Sequence, residues 1–455
     1  MKSSFASVVI TPPVGVPLAG NGREDARSRG VHDDLRANFA YMESGDQRYL
    51  LISLDLLGLK RRETDAIKER IAEKTDIPRE YITVICSHTH SGPNTVEIFK
   101  LFLTQEDIEA CNAYCAWLVN TVAEAVPGLV RAAAESRIGF GRQMVEGFSF
   151  NRRAVLKDGT LRMVFEEFDR DEIDRLAGPN GDPEMHVFVL TQGENGRRLK
   201  GLIVQYTSHP AVVCGADWLY SRDYVDALTN VLQETYGPDV VVLYANGAQG
   251  NQVAADPYRP FVTGFPEAER VGRALAAGAV EAVDRVLTAG MLYREVPICV
   301  LEAPLTLPIR KIPPEDVVRA EELMRAYPAG GGACLHGLDP RVEAESILEM
   351  ARRPEKEETT LLQAIRLGEA WIVTFPGEVF LEHAQKVFEM LPDKHTVVFG
   401  LANDYVGYIP TREAFGEGGY EVKTSYASSR FDPCAGELLV NACRELLGRH
   451  CAQDI

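Results

Sequence analysis

The 455-residue chain has no stretch approaching the roughly 18 consecutive apolar residues that span a bilayer. Its first residues, Met1 to Pro13, carry one lysine but not the apolar centre of about 7–15 residues that marks a secretory leader. The nine cysteines form no C-x-x-C pair, which argues against a zinc ribbon, a dithiol redox site or a disulfide framework. Free thiols in a reducing cytoplasm are the simplest account, so a cytoplasmic protein is expected. Basic residues are in short supply: 48 Lys and Arg face 66 Asp and Glu, a formal charge of -18. That sign excludes nucleic acid and anionic lipid as default partners. Missing too are the G-x-S-x-G elbow of serine hydrolases, the phosphate-binding loop and the dinucleotide turn. Asn246-Gly247-Ala248-Gln249-Gly250-Asn251 comes nearest to a phosphate loop, but no lysine follows it.

What is present suits a globular protein, with 45% hydrophobic and 25% charged residues. Periodicity predicts helices over 62–74, 105–136, 224–236, 266–287 and 434–447, with a kink or break at Pro127. Short apolar runs alternate with them: Tyr49–Leu54, Tyr81–Ile85, Leu202–Tyr206, Val240–Tyr244, Ala370–Phe375 and His395–Leu401. Continuous apolar runs of this length are the pattern of strands buried on both faces. The expected fold class is α/β, a mixed β-sheet core flanked by helices, in one domain over residues 1–455.

The informative regularity is positional. Successive apolar runs end in Asp55, in His88 and His90, in His209, in Asn246–Asn251, in Glu378 and in Asn403-Asp404. Ligands of open α/β sheets bind at the carboxyl ends of strands, so a zinc site at those ends is expected. Zinc prefers imidazole and carboxylate ligands, and a catalytic site keeps one position open. His88, His90, His209 and Glu378 are the candidates. Within Ser87-His88-Thr89-His90-Ser91-Gly92-Pro93, either one histidine ligates while the other serves as acid/base, or both ligate; spacing allows either. Asp55 could orient a ligating histidine, cap the following helix or serve a second metal. His32, beside Asp33 and Asp34, is a weaker candidate. His186, His336, His383, His395 and His450 are expected to be structural or exposed, and a nucleophilic Cys86 is disfavoured inside its apolar run.

These motifs resemble those of the neutral/alkaline non-lysosomal ceramidase family in its catalytic domain. The likeness starts with Thr11-Pro12-Pro13 and His32-Asp33-Asp34-Leu35 and runs through Ser87–Pro93, Asn151-Arg152-Arg153 and Ser208-His209-Pro210. It continues with Pro376-Gly377-Glu378 and Asn403-Asp404-Tyr405-Val406-Gly407-Tyr408, and ends at Tyr420-Glu421. The resemblance implies one zinc held by His88, His209, Glu378 and Tyr408. It implies His90 as the acid/base, with Arg152 and Tyr420 touching substrate near the scissile bond. Two departures stand out. Family members carry a serine in a G-D-x-S type motif where this chain reads Gly250-Asn251-Gln252-Val253, and the sequence stops without the family's C-terminal β-sandwich.

The expected function is therefore a zinc-dependent hydrolase that cleaves an amide (N-acyl) bond with a metal-bound water. The alternative on the same residues is hydrolysis of an ester, a glycoside or another small polar metabolite. A third reading, a metal binder without catalysis, predicts a coordinatively closed site. The expected partner is a small molecule bearing an acyl or polar group.

Overall fold

The computed structural model describes residues 1–20, 25–193, 196, 198–213, 218–326, 340–392 and 394–451. Eight strands form its larger sheet: β1 (Lys2–Val9), β2 (Arg36–Ser44), β3 (Gln47–Leu54), β4 (Ile82–Cys86), β5 (Ala134–Met144), β6 (Glu184–Gln192), β7 (Arg198–Tyr206) and β8 (Val241–Asn246). Their spatial order is β8-β7-β6-β5-β1-β2-β3-β4. The interior pairs are antiparallel, while both edges are parallel, β3 with β4 and β7 with β8. A second sheet follows the order β9 (Ile298–Pro308), β10 (Glu357–Leu367), β11 (Ala370–Thr374) and β12 (His395–Phe399), again closing on a parallel pair, β11 with β12.

The two sheets face each other. Side chains alternate along each strand, so Ala40, Met42 and Leu51 turn one way and Phe39, Tyr41 and Ile52 the other. The first group joins Phe188, Ile203 and Leu243 against Ile365, Ile372, Val397 and Phe399 of the second sheet. The second group packs under α1 (Arg61–Lys74) and α2 (Gln105–Arg131), and the other half of that outer face lies under α3 (Tyr224–Tyr236) and α4 (Phe265–Ala289). Helices Leu381–Phe388 and Ala435–Cys451 cover the outside of the second sheet. The architecture is a mixed sheet core flanked by helices, doubled into two sheets.

Two expectations about α2 need correction. It runs through Pro127 without a break, then gives way to β5 at Ala134 instead of continuing to 136. A proline inside a helix costs roughly 3 kcal/mol. Buried Val122, Val126 and Leu129 return about 1.5–3 kcal/mol apiece, which outweighs it. α2 is also long and apolar enough to cross a membrane, with a mean hydropathy of 1.2 in its best window. Counting uninterrupted apolar residues misses this, because a few polar residues punctuate the run. In the fold, Tyr114, Leu118 and Val122 of α2 are buried against the sheet.

The larger sheet curls until its edges meet. The Ser53 hydroxyl on β3 donates to the Tyr244 carbonyl on β8 (2.6 Å), and the Asn246 amide donates to the Ser87 carbonyl (3.1 Å). The exit of β12 is stitched between them: Gly400 N–H donates to the Asn246 carbonyl (2.9 Å) and Cys86 N–H to the Leu401 carbonyl (3.2 Å). The carboxyl ends of strands far apart in the sheet order therefore open onto one place.

Candidate metal centre

Beyond β4 the chain turns sharply at His88, whose φ of +75° lies in the left-handed region. That conformation costs roughly 1–2 kcal/mol for a residue with a Cβ. The turn is held by His88 N–H donating to the Leu56 carbonyl (2.8 Å). His90 follows, its ring pressed against the backbone of Gly20. A Cβ on Gly20 would stand 2.6 Å from His90 Cγ, and Gly20 itself has a φ of +88°. His209 leaves β7 with its N–H on the Gln252 carbonyl (3.1 Å). Glu378 opens the two-residue strand Glu378–Val379, which pairs in parallel with Tyr408–Ile409 so that Glu378 lies opposite Tyr408.

The imidazole chemistry follows from which ring nitrogen faces a carbonyl. His88 Nδ1 is 2.7 Å from the Leu57 carbonyl and His209 Nδ1 is 2.9 Å from the Gln252 carbonyl. A carbonyl only accepts, so both Nδ1 atoms carry protons, and Nε2 is the ring atom that each histidine can offer to a ligand. Those nitrogens converge on one carboxylate oxygen: Glu378 Oε2 is 3.0 Å from His209 Nε2 and 3.3 Å from His88 Nε2. His90 Nε2 is 3.3 Å from His88 Nε2. The ligand atoms of the three histidines lie within 4.8 Å of one another. Acceptors crowded this closely in a buried place repel unless a cation sits among them. The donor set suits a metal ion, and backbone carbonyls, not carboxylates, orient both histidines.

The electrostatics point the same way. Burial, aided by Arg152, pushes the His209 imidazole down to about 4. Burial and then the rings of His88 and His209 hold His90 well below its usual range. Burial alone would raise the Glu378 carboxyl, but His88 and His209 keep it well below the usual carboxylate range. An ionised Glu378 beside a His209 ring whose charged form burial disfavours suits a metal, whose ligands must be deprotonated.

Arg152, 2% exposed, forms the opposite wall. Its Nη1 is 3.3 Å from His209 Nε2, and its Nη2 donates to the Gly250 carbonyl (2.7 Å) and the Tyr408 hydroxyl (3.2 Å). Its Nε donates to Glu421 (3.0 Å), which also takes Arg153 Nη1 (2.9 Å). The Tyr408 and Tyr420 hydroxyls are 3.0 Å apart, and the Tyr420 ring lies under the Arg152 guanidinium at 4.8 Å. His88, His90, His209, Glu378, Arg152, Tyr408 and Tyr420 thus occupy one continuous cluster.

Other candidates go elsewhere. Asp55 accepts from Arg222 Nε (2.7 Å) and Arg36 N–H (2.9 Å), a buried ion pair rather than a histidine partner. His32 stacks on Phe265 and meets Asp33 (2.8 Å). His186 and His395 pair with each other (3.1 Å), and His383 faces the Pro410 carbonyl (3.2 Å). His336 and the side chain of His450 fall outside the described residues. Cys86 is buried, and burial pushes its thiol up. In the Gly250–Val253 segment, Asn251 binds Leu381 N–H (3.0 Å) and Glu382 (3.0 Å), and no hydroxyl replaces the serine.

Three residues escaped sequence reasoning. The Tyr405 hydroxyl donates to Glu378 Oε1 (2.7 Å), Glu421 anchors Arg152, and Gly20 backs His90. Tyr405 and Glu421 stand inside quoted motif strings, yet nothing in their spacing gave them a task.

No family model matches this sequence, and no curated protein matches it. Solved structures do. The neutral ceramidase from Pseudomonas aeruginosa superposes with a TM-score of 0.70 at 17% identity, over 98% of this chain and 74% of that one. A ceramidase complexed with C2 gives 0.69 at 17% identity, over 98% of this chain and 75% of that one. The chain has a ceramidase-like fold.

Proposed function

We propose that this protein is a zinc-dependent hydrolase that cleaves an amide, specifically an N-acyl bond. The observation that carries the reading is the convergence of the His88 and His209 Nε2 atoms on Glu378, with both Nδ1 protons committed to carbonyls. His88, His209, Glu378 and Tyr408 are the residues that would hold zinc. Zinc there supplies Lewis acidity toward a substrate carbonyl and lowers the pKa of water toward about 7.

The chain's own groups do the rest. His90, held neutral by enclosure beside the other imidazoles, takes a proton from the attacking water and returns it to the departing amine. Arg152 and Tyr420 offer N–H and O–H donors to the negative charge that develops on the carbonyl oxygen. Arg152 is already fixed on Glu421 and Gly250, so those donors need little reorganisation. Tyr405 holds Glu378 in place. With Val253 standing where the family's G-D-x-S type motif has its serine, water is the nucleophile this site supports. The fold likeness to ceramidases favours a lipid amide, an N-acylated amine, as the substrate class.

Metal analysis should find one zinc per chain, lost in His88→Ala together with hydrolysis of an N-acyl sphingoid base and short N-acyl amines. Undiminished hydrolysis in His88→Ala overturns the zinc mechanism. Activity confined to esters or glycosides overturns the amide assignment.

A further inference from the structure

A cavity of about 180 Å3 lies on the far side of Tyr405 from Glu378, with Lys60, Glu97, Lys100, Asp404, Tyr405 and Arg430 in its wall. Pockets for drug-sized ligands run to roughly 300–1,000 Å3, so this one suits a small group, not an acyl chain. Five cationic side chains line it against three carboxylates. Most of that charge is spoken for. Arg430 binds Glu358 through two bonds (2.7 and 2.8 Å), and Arg61 and Arg62 pair with Asp65 and Glu63. Asp404 spends its oxygens on Arg61 N–H, Tyr405 N–H and the Thr360 hydroxyl.

What remains is a shared carboxylate. Lys60 and Lys100 share a single oxygen of Glu97, at 3.1 and 2.8 Å. Two further carboxylates lie near Lys100: Glu349, engaged by Arg353 (3.0 Å), and Glu345. Two ammonium groups on one carboxylate oxygen leave spare N–H donors in a partly enclosed space. The turn that presents them is strained: Glu97 and Phe99 both adopt left-handed backbone, at φ +57° and +58°. Such strain persists only where the surroundings hold it.

We propose that this cavity binds a small oxyanion, a carboxylate or a phosphate group, and that its occupancy is transmitted to the metal centre. Two links run between them. Tyr405 forms part of the cavity wall while its hydroxyl holds Glu378 (2.7 Å). Lys60 lies at the end of the segment whose Leu57 carbonyl fixes His88 (2.7 Å). Anion binding stands independently of the hydrolase reading; the transmission rests on the metal site of that reading.

The test is calorimetric titration of the metal-free protein with inorganic phosphate and, separately, acetate at matched ionic strength. Saturable one-site binding of at least one is expected, weakened about tenfold in Lys100→Gln and in Lys60→Gln, the loss of one charge-assisted hydrogen bond. Lys100 is partly exposed, so its variant should fold. Tighter phosphate binding assigns a phosphate ligand, and tighter acetate binding assigns a carboxylate. Absence of saturable binding, or binding unchanged in both variants, overturns the site. Zinc affinity from chelator competition, with and without saturating amounts of whichever of the two anions binds, should differ by about fivefold or more in the wild type and not in Tyr405→Phe. Equal zinc affinities in the wild type overturn the transmission and leave the hydrolase reading untouched.

Discussion

Replacing Tyr405 by phenylalanine removes one oxygen and little else. The ring is locked where it is: a Cβ on Gly58 would stand 2.5 Å from it, so the phenyl group keeps the wall intact. The lost hydroxyl donates to Glu378 Oε1 at 2.7 Å, between residues that are 3% and 2% exposed. A buried hydrogen bond to a charged acceptor contributes about 1.5–3 kcal/mol, so the metal-free fold should lose stability of that order in urea unfolding. The larger effect falls on the metal. A carboxylate ligand freed from its outer partner typically costs 10–100-fold in metal affinity, and about that loss is expected here in chelator-competition titrations. The sign of the pH effect follows as well. The hydroxyl stabilises the carboxylate anion, so its removal raises the Glu378 pKa and moves the acid limit of metal binding to higher pH. Zinc affinity within twofold of wild type would refute the claim that Tyr405 positions Glu378.

Glu421→Gln leaves Arg152 and Arg153 without their shared buried carboxylate. A loss of about 3–5 kcal/mol in urea unfolding is expected for breaking such a network, and a loss below 1 kcal/mol would contradict it. Gly20→Ala forces a Cβ against the His90 ring at a φ of +88°, so N-acyl hydrolysis should fall while zinc content stays at wild-type level; full activity would show that His90 tolerates displacement. Burial pushes the Asp223 carboxyl from 3.8 up to about 7. The folded state therefore holds that proton more tightly than the unfolded state, and this group's contribution to stability is lost as pH rises through that window. Asp223→Asn should flatten unfolding free energy against pH between those values, and an unchanged slope would assign the titration to another group.

Local chemistry was legible in the sequence wherever it depended on neighbours along the chain. The runs Tyr81–Ile85 and Val240–Tyr244 announced buried strands because burial on both faces demands unbroken apolar character, and strands form at Ile82–Cys86 and Val241–Asn246. The polar residues just beyond such runs marked the place where a ligand could gather, and His88, His209 and Glu378, singled out that way, stand together in the fold. α2 misled for a reason equally physical: its path through Pro127 is set by packing against the sheet, which periodicity does not weigh.

The tertiary structure alone decided how those strand ends meet. β4 and β7 stand far apart in the sheet order, and only the curl recorded by the Ser53–Tyr244 and Asn246–Ser87 bonds brings His88 and His209 to one carboxylate. The same curl chose the partners no spacing could name. It set the Leu57 and Gln252 carbonyls against Nδ1, Tyr405 on Glu378 and Glu421 on Arg152. A sequence specifies which groups need a partner when buried. Which partner arrives depends on long-range packing between segments hundreds of residues apart, and that information exists only once the chain has folded.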